Sequence, residues 1–284
     1  MQILAATDFS TRSQRALRRA GLLAREKSFE LAIVHVVDDD QPARLVDLEK
    51  RESERYLAEQ IDTLAELRGV DCRALVVVGD PFDSILRAAA SVAAELVVMG
   101  VHRKQFLGDI FIGTTVERVI RAAPCPVLMV NREPTDVYRL VLAAVDTVSP
   151  SAKAMKTVET LRLLENAKLT LVHAIHAPAR GKLALAGVDN GQIEQYLAAE
   201  RDRARAELRA YFAANDIDIE AHPMRIEEGS PFATIAAAVR DLMPDLVLIG
   251  THGRTGVAKV LLGSVTTDVL RFIDTDILVV SPDK

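Results

Sequence analysis

The sequence contains two versions of one glycine-containing stretch. In the second half it reads GTHG at 250–253, followed after nine residues by GS at 263–264. In the first half it reads GVHR at 100–103, followed at the same spacing by GT at 113–114. Because the spacing and the flanking residues agree, the chain is a tandem duplication. In the first copy, Arg103 replaces the second glycine of the stretch.

Other matching residues support the duplication. The interval from Asp8 to His35 is 27 residues, as is the interval from Asp146 to His173. The next interval, from this histidine to a glycine two residues before a proline, is 44 residues in the first copy and 56 in the second. The second copy therefore carries 12 additional residues, which we assign to residues 178–192.

The repeat length predicts two domains. A period of about 140 residues is too long for a solenoid and suits two units, each with its own core. A short polar link, NREPTDVY at 131–138, joins the copies. We predict a first domain at residues 1–133 and a second at residues 134–284.

The composition argues against several classes of protein. The net charge is −5, aromatic residues make up 4% of the chain and tryptophan is absent, whereas nucleic-acid-binding proteins usually present basic faces and aromatic platforms. No apolar run is long enough to span a membrane, and the start does not read as a signal peptide. Two cysteines, Cys72 and Cys125, cannot form a disulfide framework. We expect a cytoplasmic protein that binds no nucleic acid.

The order of apolar and amphipathic segments predicts an α/β fold. In each repeat, five short apolar strands alternate with helices. Such a pattern forms an open parallel five-stranded sheet with helices on both faces, joined by right-handed crossovers. In the second repeat the pattern places the first helix over residues 150–166 and the third strand over residues 219–225.

The second repeat has residues suited to binding a phosphate. Ligands of open α/β sheets bind beyond the carboxyl ends of the strands, and there Asp146 follows the first strand while Gly250 follows the fourth. Glycine lets the backbone approach a ligand closely. The pair Gly263–Ser264 opens a helix whose N–H groups and dipole favour an anion. The Ser264 hydroxyl can donate to a phosphate, cap the helix, or do both. No Walker loop is present.

The pattern G-2x-G-9x-G-S/T after the fourth strand, with an aspartate after the first, resembles the universal stress protein family. The strand ends LAATDFS and LAAVDTV, together with APCPVLMV, fit the same family, and the resemblance covers nearly the whole chain. It implies an α/β fold with strand order 3-2-1-4-5 that binds ATP or AMP, with or without Mg²⁺. It also implies that the repeats pair as a pseudo-dimer through their last strands, residues 127–130 and 277–280, because unpaired sheet edges are usually covered or paired.

The resemblance assigns roles to residues of the second repeat. Asp146 would contact the adenine or the ribose, and the backbone near Ala174 would contact the adenine. The remaining residues implied to hold the ribose and phosphates, or to follow them at the start of the helix, are Gly250, Gly253, Gly263, Ser264, Val265 and Thr266.

The first repeat departs from this pattern. Arg103 adds bulk where the backbone should approach the phosphate, and three aspartates at 38–40 would repel it. A solvated loop is an equally good explanation of the aspartates, and Arg103 could alternatively grip a phosphate. We predict one adenine-nucleotide site in each chain. His102 and His252 occupy equivalent positions, but no compact set of metal ligands accompanies them.

Three functions compete on this basis. The leading one is a nucleotide-binding regulatory protein of the stress response that presents a surface to a protein partner. The second is slow ATP hydrolysis or phosphotransfer, for which Asp146 is the site acid with a clear position and His252 could orient water. In the third, the first domain is a separate small-molecule or lipid pocket. We expect no catalytic residues, and homodimerisation of whole chains stays open.

The 12 additional residues suggest a mobile element near the site. The segment 178–192 contains three glycines, and its cations Arg180 and Lys182 could close over phosphates. A tolerated surface insertion explains the segment equally well.

Overall fold

The computed structural model describes residues 1–101, 103–106, 109–112, 114–147, 151–177, 179–251 and 262–281. The strands of the first repeat are β1 (Gln2–Thr7), β2 (Glu30–Val37), β3 (Cys72–Val78), β4 (Leu96–Gly100), β5 (Arg103–Phe106), β6 (Asp109–Ile112) and β7 (Val127–Val130). Those of the second are β8 (Leu140–Ala144), β9 (Lys168–Ile175), β10 (Met224–Glu228), β11 (Leu246–Gly250) and β12 (Asp276–Val280).

Helices connect these strands. They are α1 (Thr11–Lys27), α2 (Ala43–Thr63), α3 (Pro81–Ser91) and α4 (Thr114–Ala122) in the first repeat, with a 3₁₀ turn at Ala65–Leu67. In the second repeat they are α5 (Ser151–Thr160), α6 (Ala179–Leu185), α7 (Asn190–Ala213), α8 (Pro231–Leu242) and α9 (Ser264–Phe272).

The two repeats share one ten-stranded sheet. Its order is β10-β9-β8-β11-β12-β7-β4-β1-β2-β3, so each half has the expected order 3-2-1-4-5. Neighbouring strands are parallel within each half, and β7 pairs with β12 antiparallel, with Leu128 opposite Leu278. The predicted fold class and the pairing through the last strands are therefore confirmed. The two predicted sheets merge into one because that pairing joins their edges.

Apolar cores lie on both faces of the sheet. Successive strand residues point to opposite faces, so Ile3 enters one core and Leu4 the other, each with 0% exposure. The first core contains residues of α1, α2, α5 and α7, and the second contains residues of α3, α4, α8 and α9. Each core includes side chains of both repeats, so burial stabilises the paired arrangement as well as each half.

A buried polar cluster, here called the junction network, fixes the link between the repeats. Its centre is the Asp276 carboxylate, which is fully buried. Oδ1 accepts from the backbone N–H groups of Asn131 (2.8 Å) and Arg132 (3.0 Å), and Oδ2 accepts from the Tyr138 hydroxyl (2.8 Å). Arg19 Nε lies 3.3 Å from Oδ2. Burial, with the nearby Asp276 charge, raises the pKa of Tyr138 well above its usual value. The domain boundary at 133/134 stays a prediction.

Two element boundaries in the second repeat were predicted wrongly. The helix predicted over 150–166 ends at Thr160, because the chain reverses at Arg162 (φ 55°) and Leu163 N–H bonds to Val158 O at 3.0 Å. The strand predicted over 219–225 is β10, five residues long and shifted towards the C-terminus. The apolar residues that suggested the earlier position, Ile217 and Ile219, are buried without forming a strand.

The additional segment of the second repeat is largely helical rather than a glycine-rich loop. Residues 179–185 form α6, and Asp189 caps α7 through bonds to the N–H groups of Gly191 and Gln192. Gly187 takes a left-handed conformation (φ 75°) just after α6, as is common where helices end. Gly181 is accommodated within the helix despite its low propensity.

The first repeat has a hairpin where we expected only a loop. After β4, strand β5 pairs antiparallel with β6, with Arg103 opposite Ile112. The corresponding residues of the second repeat, including Gly253 and His252, lie outside the described residues, as does His102.

Candidate functional site

A cavity opens at the carboxyl edge of the second half of the sheet. It lies where the strand order reverses, with β9 on one side of β8 and β11 on the other. Its volume is about 150 Å³. Five predicted residues share its wall: Asp146, Ala174, Gly250, Val265 and Thr266. The other lining residues are Ala144, Val145, Ser151, Val172, His173, Pro231, Ile235 and Ile249.

Asp146 is held by the start of α5. Its backbone N–H donates to Ser151 Oγ at 2.9 Å, and its carboxylate accepts from Thr147 N–H at 2.7 Å. The residue is half-buried and borders the cavity, so its carboxylate is placed to accept further hydrogen bonds there. Ser151 was missed in the sequence, although its counterpart Ser13 makes the same bond to the backbone N–H of Asp8 at 3.2 Å.

Gly250 ends β11 beside two threonines. The Thr266 hydroxyl donates to Gly250 O at 3.3 Å, and Thr251 N–H donates to Val280 O at 2.9 Å. Thr251 is fully buried, and its hydroxyl has no hydrogen-bond partner among the described residues. The sequence analysis named Thr266 but not Thr251.

Helix α9 begins at the cavity with Gly263 as its N-cap residue and Ser264 as its first helical residue. Ser264 therefore does not cap the helix, and it is exposed. The first N–H groups of a helix have no partners within it, and they carry the positive end of the dipole. Since Val265 and Thr266 line the cavity, this end of α9 is an anion-favouring part of its wall.

His173 and Ala174 form the wall beside β9. The His173 ring Nδ1 lies 2.8 Å from Val145 O, which fixes the orientation of the ring at the end of β8. The equivalent His35 makes the same contact to Thr7 O at 2.9 Å. Apart from Asp146, Ser151, His173 and Thr266, the side chains of the wall are apolar, as is usual for pockets that take flat organic ligands.

The sequence of each repeat matches one known family. A model described as "Universal stress protein family" matches residues 1–131 and, separately, residues 138–281. The chain belongs to the universal stress protein family.

Individual relatives agree with this family assignment. Universal stress protein E of Escherichia coli (strain K12) is 27% identical over 213 residues, covering 72% of this chain and 66% of the relative, slightly less than two thirds. A universal stress protein of Thermus aquaticus is 35% identical over 134 residues, covering 45% of this chain and 97% of the relative. The solved structure of a universal stress protein from Archaeoglobus fulgidus covers 99% of this chain and 98% of its own, with a TM-score of 0.73 and 18% identity. That likeness shows the shared fold.

The first universal stress repeat arranges the same edge differently. Asp8 accepts from both the N–H (3.0 Å) and the hydroxyl (2.5 Å) of Ser10. Burial opposes its ionisation, but the bonds from Ser10 and Ser13 outweigh burial and lower the pKa of Asp8. Phe9 stacks on the His35 ring with 4.0 Å between centroids.

Charged side chains also crowd the first-repeat edge. The Arg118 guanidinium lies 3.9 Å from the Phe82 ring centroid and 3.8 Å from the Asp80 carboxylate. Arg87 donates to Ser84 Oγ at 2.9 Å. The three aspartates at 38–40 are exposed, as a solvated loop requires. The Arg103 side chain, for which the sequence left two roles open, lies outside the described side chains.

Helix α6 lies at the rim of the second-repeat edge. Arg180 pairs with Glu228, the last residue of β10. Leu183 packs against a small apolar cluster that includes Ile193 and Leu197 of α7. The predicted closure over a ligand stays a prediction, and in this structure Arg180 bonds to a carboxylate.

The described residues were also compared with the requirements for a metal site and for a membrane-spanning helix. Among them, no three His, Cys, Asp or Glu side chains are grouped so as to bind a metal ion. No helix in the described ranges has the length and apolar character needed to cross a membrane.

Proposed function

We propose that this protein is an adenine-nucleotide-binding regulatory protein of the stress response, and that its second repeat holds the ligand, ATP or AMP. The observation that carries the proposal is the cavity, whose wall includes five of the eight residues implied by the family resemblance. Membership of the universal stress protein family supports the link to stress.

The wall of the cavity has the chemistry that a nucleotide requires. Val172, Ile235 and Ile249 offer an apolar surface to a planar base. Asp146 offers a carboxylate to the ribose hydroxyls, and the first turn of α9 offers N–H groups to a phosphate. One wall therefore offers a suitable contact to each part of a nucleotide: the base, the sugar and a phosphate.

The difference between the repeats supports a single site. In the first repeat, Asp8 is engaged by Ser10, and Arg103 stands where the second repeat has Gly253. A chain with one ligand site and one divergent repeat can bind nucleotide in one half and present the other half to a partner. We therefore favour a regulatory role over an enzymatic one.

Calorimetry with ATP and with AMP tests this function. We expect about one site per chain, and mass spectrometry of ligand released from freshly purified protein should detect an adenine nucleotide. Two equivalent sites would contradict the assignment to the second repeat, and the absence of binding to both nucleotides would contradict the function. Release of inorganic phosphate from ATP would instead favour the slow ATPase.

A further inference from the structure

The two threonines beside Gly250 distinguish the second repeat from the first. Thr251 and Thr266 correspond to Val101 and Val116 in the matching positions of the first repeat. All four side chains are buried, with exposures of 0%, 1%, 7% and 5% in the same order. Threonine and valine have nearly the same shape, so the replacement adds two buried hydroxyl groups at the end of β11 and changes the packing little.

Within the part of the chain that the structure describes, one of these two hydroxyls has a hydrogen-bond partner. Thr266 Oγ1 donates to Gly250 O at 3.3 Å, which restrains the carbonyl where the glycine loop leaves the strand. Thr251 Oγ1 is buried and has no hydrogen-bond partner in the described ranges. A buried hydroxyl without a hydrogen bond destabilises a folded protein, and a valine in its place would not. The first repeat has that valine at position 101.

Thr251 follows two residues of the cavity wall, Ile249 and Gly250, but is not itself one of the wall residues. The bond from Thr251 N–H to Val280 O continues the pairing of β11 with β12 by one residue. Side chains two apart along a strand share a face, so Thr251 shares the face of Ile249, which lines the cavity. Gly250, between them, also lines it.

We propose that Thr251 is a positioning residue of the second-repeat site, whose hydroxyl gains its hydrogen bond when nucleotide binds, through an ordered water at the Gly250 end of the cavity. An ordered water can bridge a buried hydroxyl and a polar ligand atom at little cost. The Thr266 hydroxyl donates to the neighbouring Gly250 carbonyl, so both hydroxyls belong to residues at the end of β11. This inference rests on the proposed function.

Substitution by valine separates this role from a merely structural one. In Thr251→Val the free protein should become more stable, with an unfolding midpoint roughly 2–4 °C higher, because the unpartnered hydroxyl is gone. The affinity for ATP should fall on the order of tenfold, since one hydrogen bond of the complex is lost. Thr251→Ser, which keeps the hydroxyl, should restore the affinity.

Thr275 provides the matched control. It is also fully buried and its hydroxyl also lacks a partner among the residues described, but it precedes β12 at the opposite end of the strand from the cavity. Thr275→Val should raise the midpoint by a similar amount and leave the affinity for ATP unchanged.

The outcomes distinguish this inference from the function on which it rests. Wild-type protein that binds neither ATP nor AMP contradicts the proposed function. Wild-type protein that binds nucleotide, with Thr251→Val binding equally well, overturns the role of Thr251 alone. Equal loss of affinity in Thr251→Val and Thr275→Val would also overturn it, because the effect would then follow from buried hydroxyls in general.

Discussion

The two carboxyl edges of the sheet share one backbone plan and differ in their polar groups. Both repeats have strand order 3-2-1-4-5 and a histidine bonded to the end of the first strand. In the second repeat, two threonine hydroxyls accompany Gly250, and Asp146 borders a cavity. In the first, valines take the threonine positions and Asp8 is engaged by Ser10. The fold is thus kept with different polar groups at its two edges, so these groups are not needed to form the sheet.

The junction between the repeats is equally one-sided. The Asp276 carboxylate accepts hydrogen bonds from residues of the link. The matching position in the first repeat is Pro126. Arg19, the partner of Asp276, corresponds to Thr157. Because proline has neither charge nor hydrogen-bonding side chain, the opposite side of the pairing cannot contain this network. The residues that hold the link between the repeats are therefore present in one repeat and absent from the equivalent positions of the other.

The largest effect is expected from the junction network. Asp276→Asn removes the buried negative charge and leaves the buried Arg19 unpaired, which should lower the free energy of unfolding by about 3 kcal/mol. Chemical denaturation measures the change. An exposed pair, Arg55 with Glu52, is the control, and Glu52→Gln should leave stability nearly unchanged because solvent screens exposed ion pairs. Similar small losses in both variants would show that the network does not hold the repeats together.

Exchange of one residue between the glycine loops tests the comparison of the two edges directly. Gly253→Arg gives the second repeat the residue of the first, and we expect nucleotide affinity to fall by about 100-fold or more, because bulk and a φ restriction are added where the backbone should approach phosphate. The affinity is measured by calorimetry.

Arg103→Gly is the reciprocal variant. It should leave the stoichiometry at about one site per chain, because the valines at 101 and 116 remain. Unchanged affinity in Gly253→Arg would mean that the loop does not contact the ligand.

The alternation of strands and helices in both repeats predicted the α/β fold, but it did not place every element correctly. The strand order and the pairing through β7 and β12 followed from the resemblance to the universal stress protein family. The position of β10 did not, because an edge strand buries little and only Ile226 of its five residues is buried. The strand was predicted too early in the chain because Ile217 and Ile219 are apolar; both are buried, but neither lies in a strand.

Prediction of the site was limited in a different way. Gly100 is retained in the first repeat, where a Cβ would lie 2.4 Å from Arg12 O. A glycine at this position can therefore be required by the close packing of α1, whether or not a ligand binds nearby. Thr251 was not singled out, because a sequence does not show which hydroxyls are buried or which lack hydrogen-bond partners in the described structure. Its replacement by Val101 in the other repeat was visible in the sequence and could have identified it.

The aspartates at the two edges should differ in their effect on binding. Asp146→Asn should weaken ATP affinity roughly tenfold, because an interaction of an ionised carboxylate with the ligand becomes a neutral one. Asp8→Asn should leave it unchanged, since Asp8 belongs to the repeat without the predicted site. Titration calorimetry on both variants gives the comparison. Equal losses would place ligand contacts in both repeats and end the proposed asymmetry.

The smallest effect is expected on the stability contributed by Asp8. Its pKa is lowered below the ordinary value of 3.8 because the bonds from Ser10 and Ser13 outweigh the effect of burial. A carboxylate with a lowered folded-state pKa stabilises the protein at pH values above its unfolded pKa, and this contribution is lost as the pH falls through the folded pKa. Asp8→Asn should therefore be less stable than wild type at pH 7, by at most about 1 kcal/mol because the residue is only partly buried and solvent screens its carboxylate, and the difference should shrink as the pH falls below about 4. Urea denaturation at pH 7 and pH 3 measures it. A difference that is constant with pH would mean that the Ser10 hydroxyl bonds the amide as well as it bonds the carboxylate, and that the charge of Asp8 contributes nothing to the first edge.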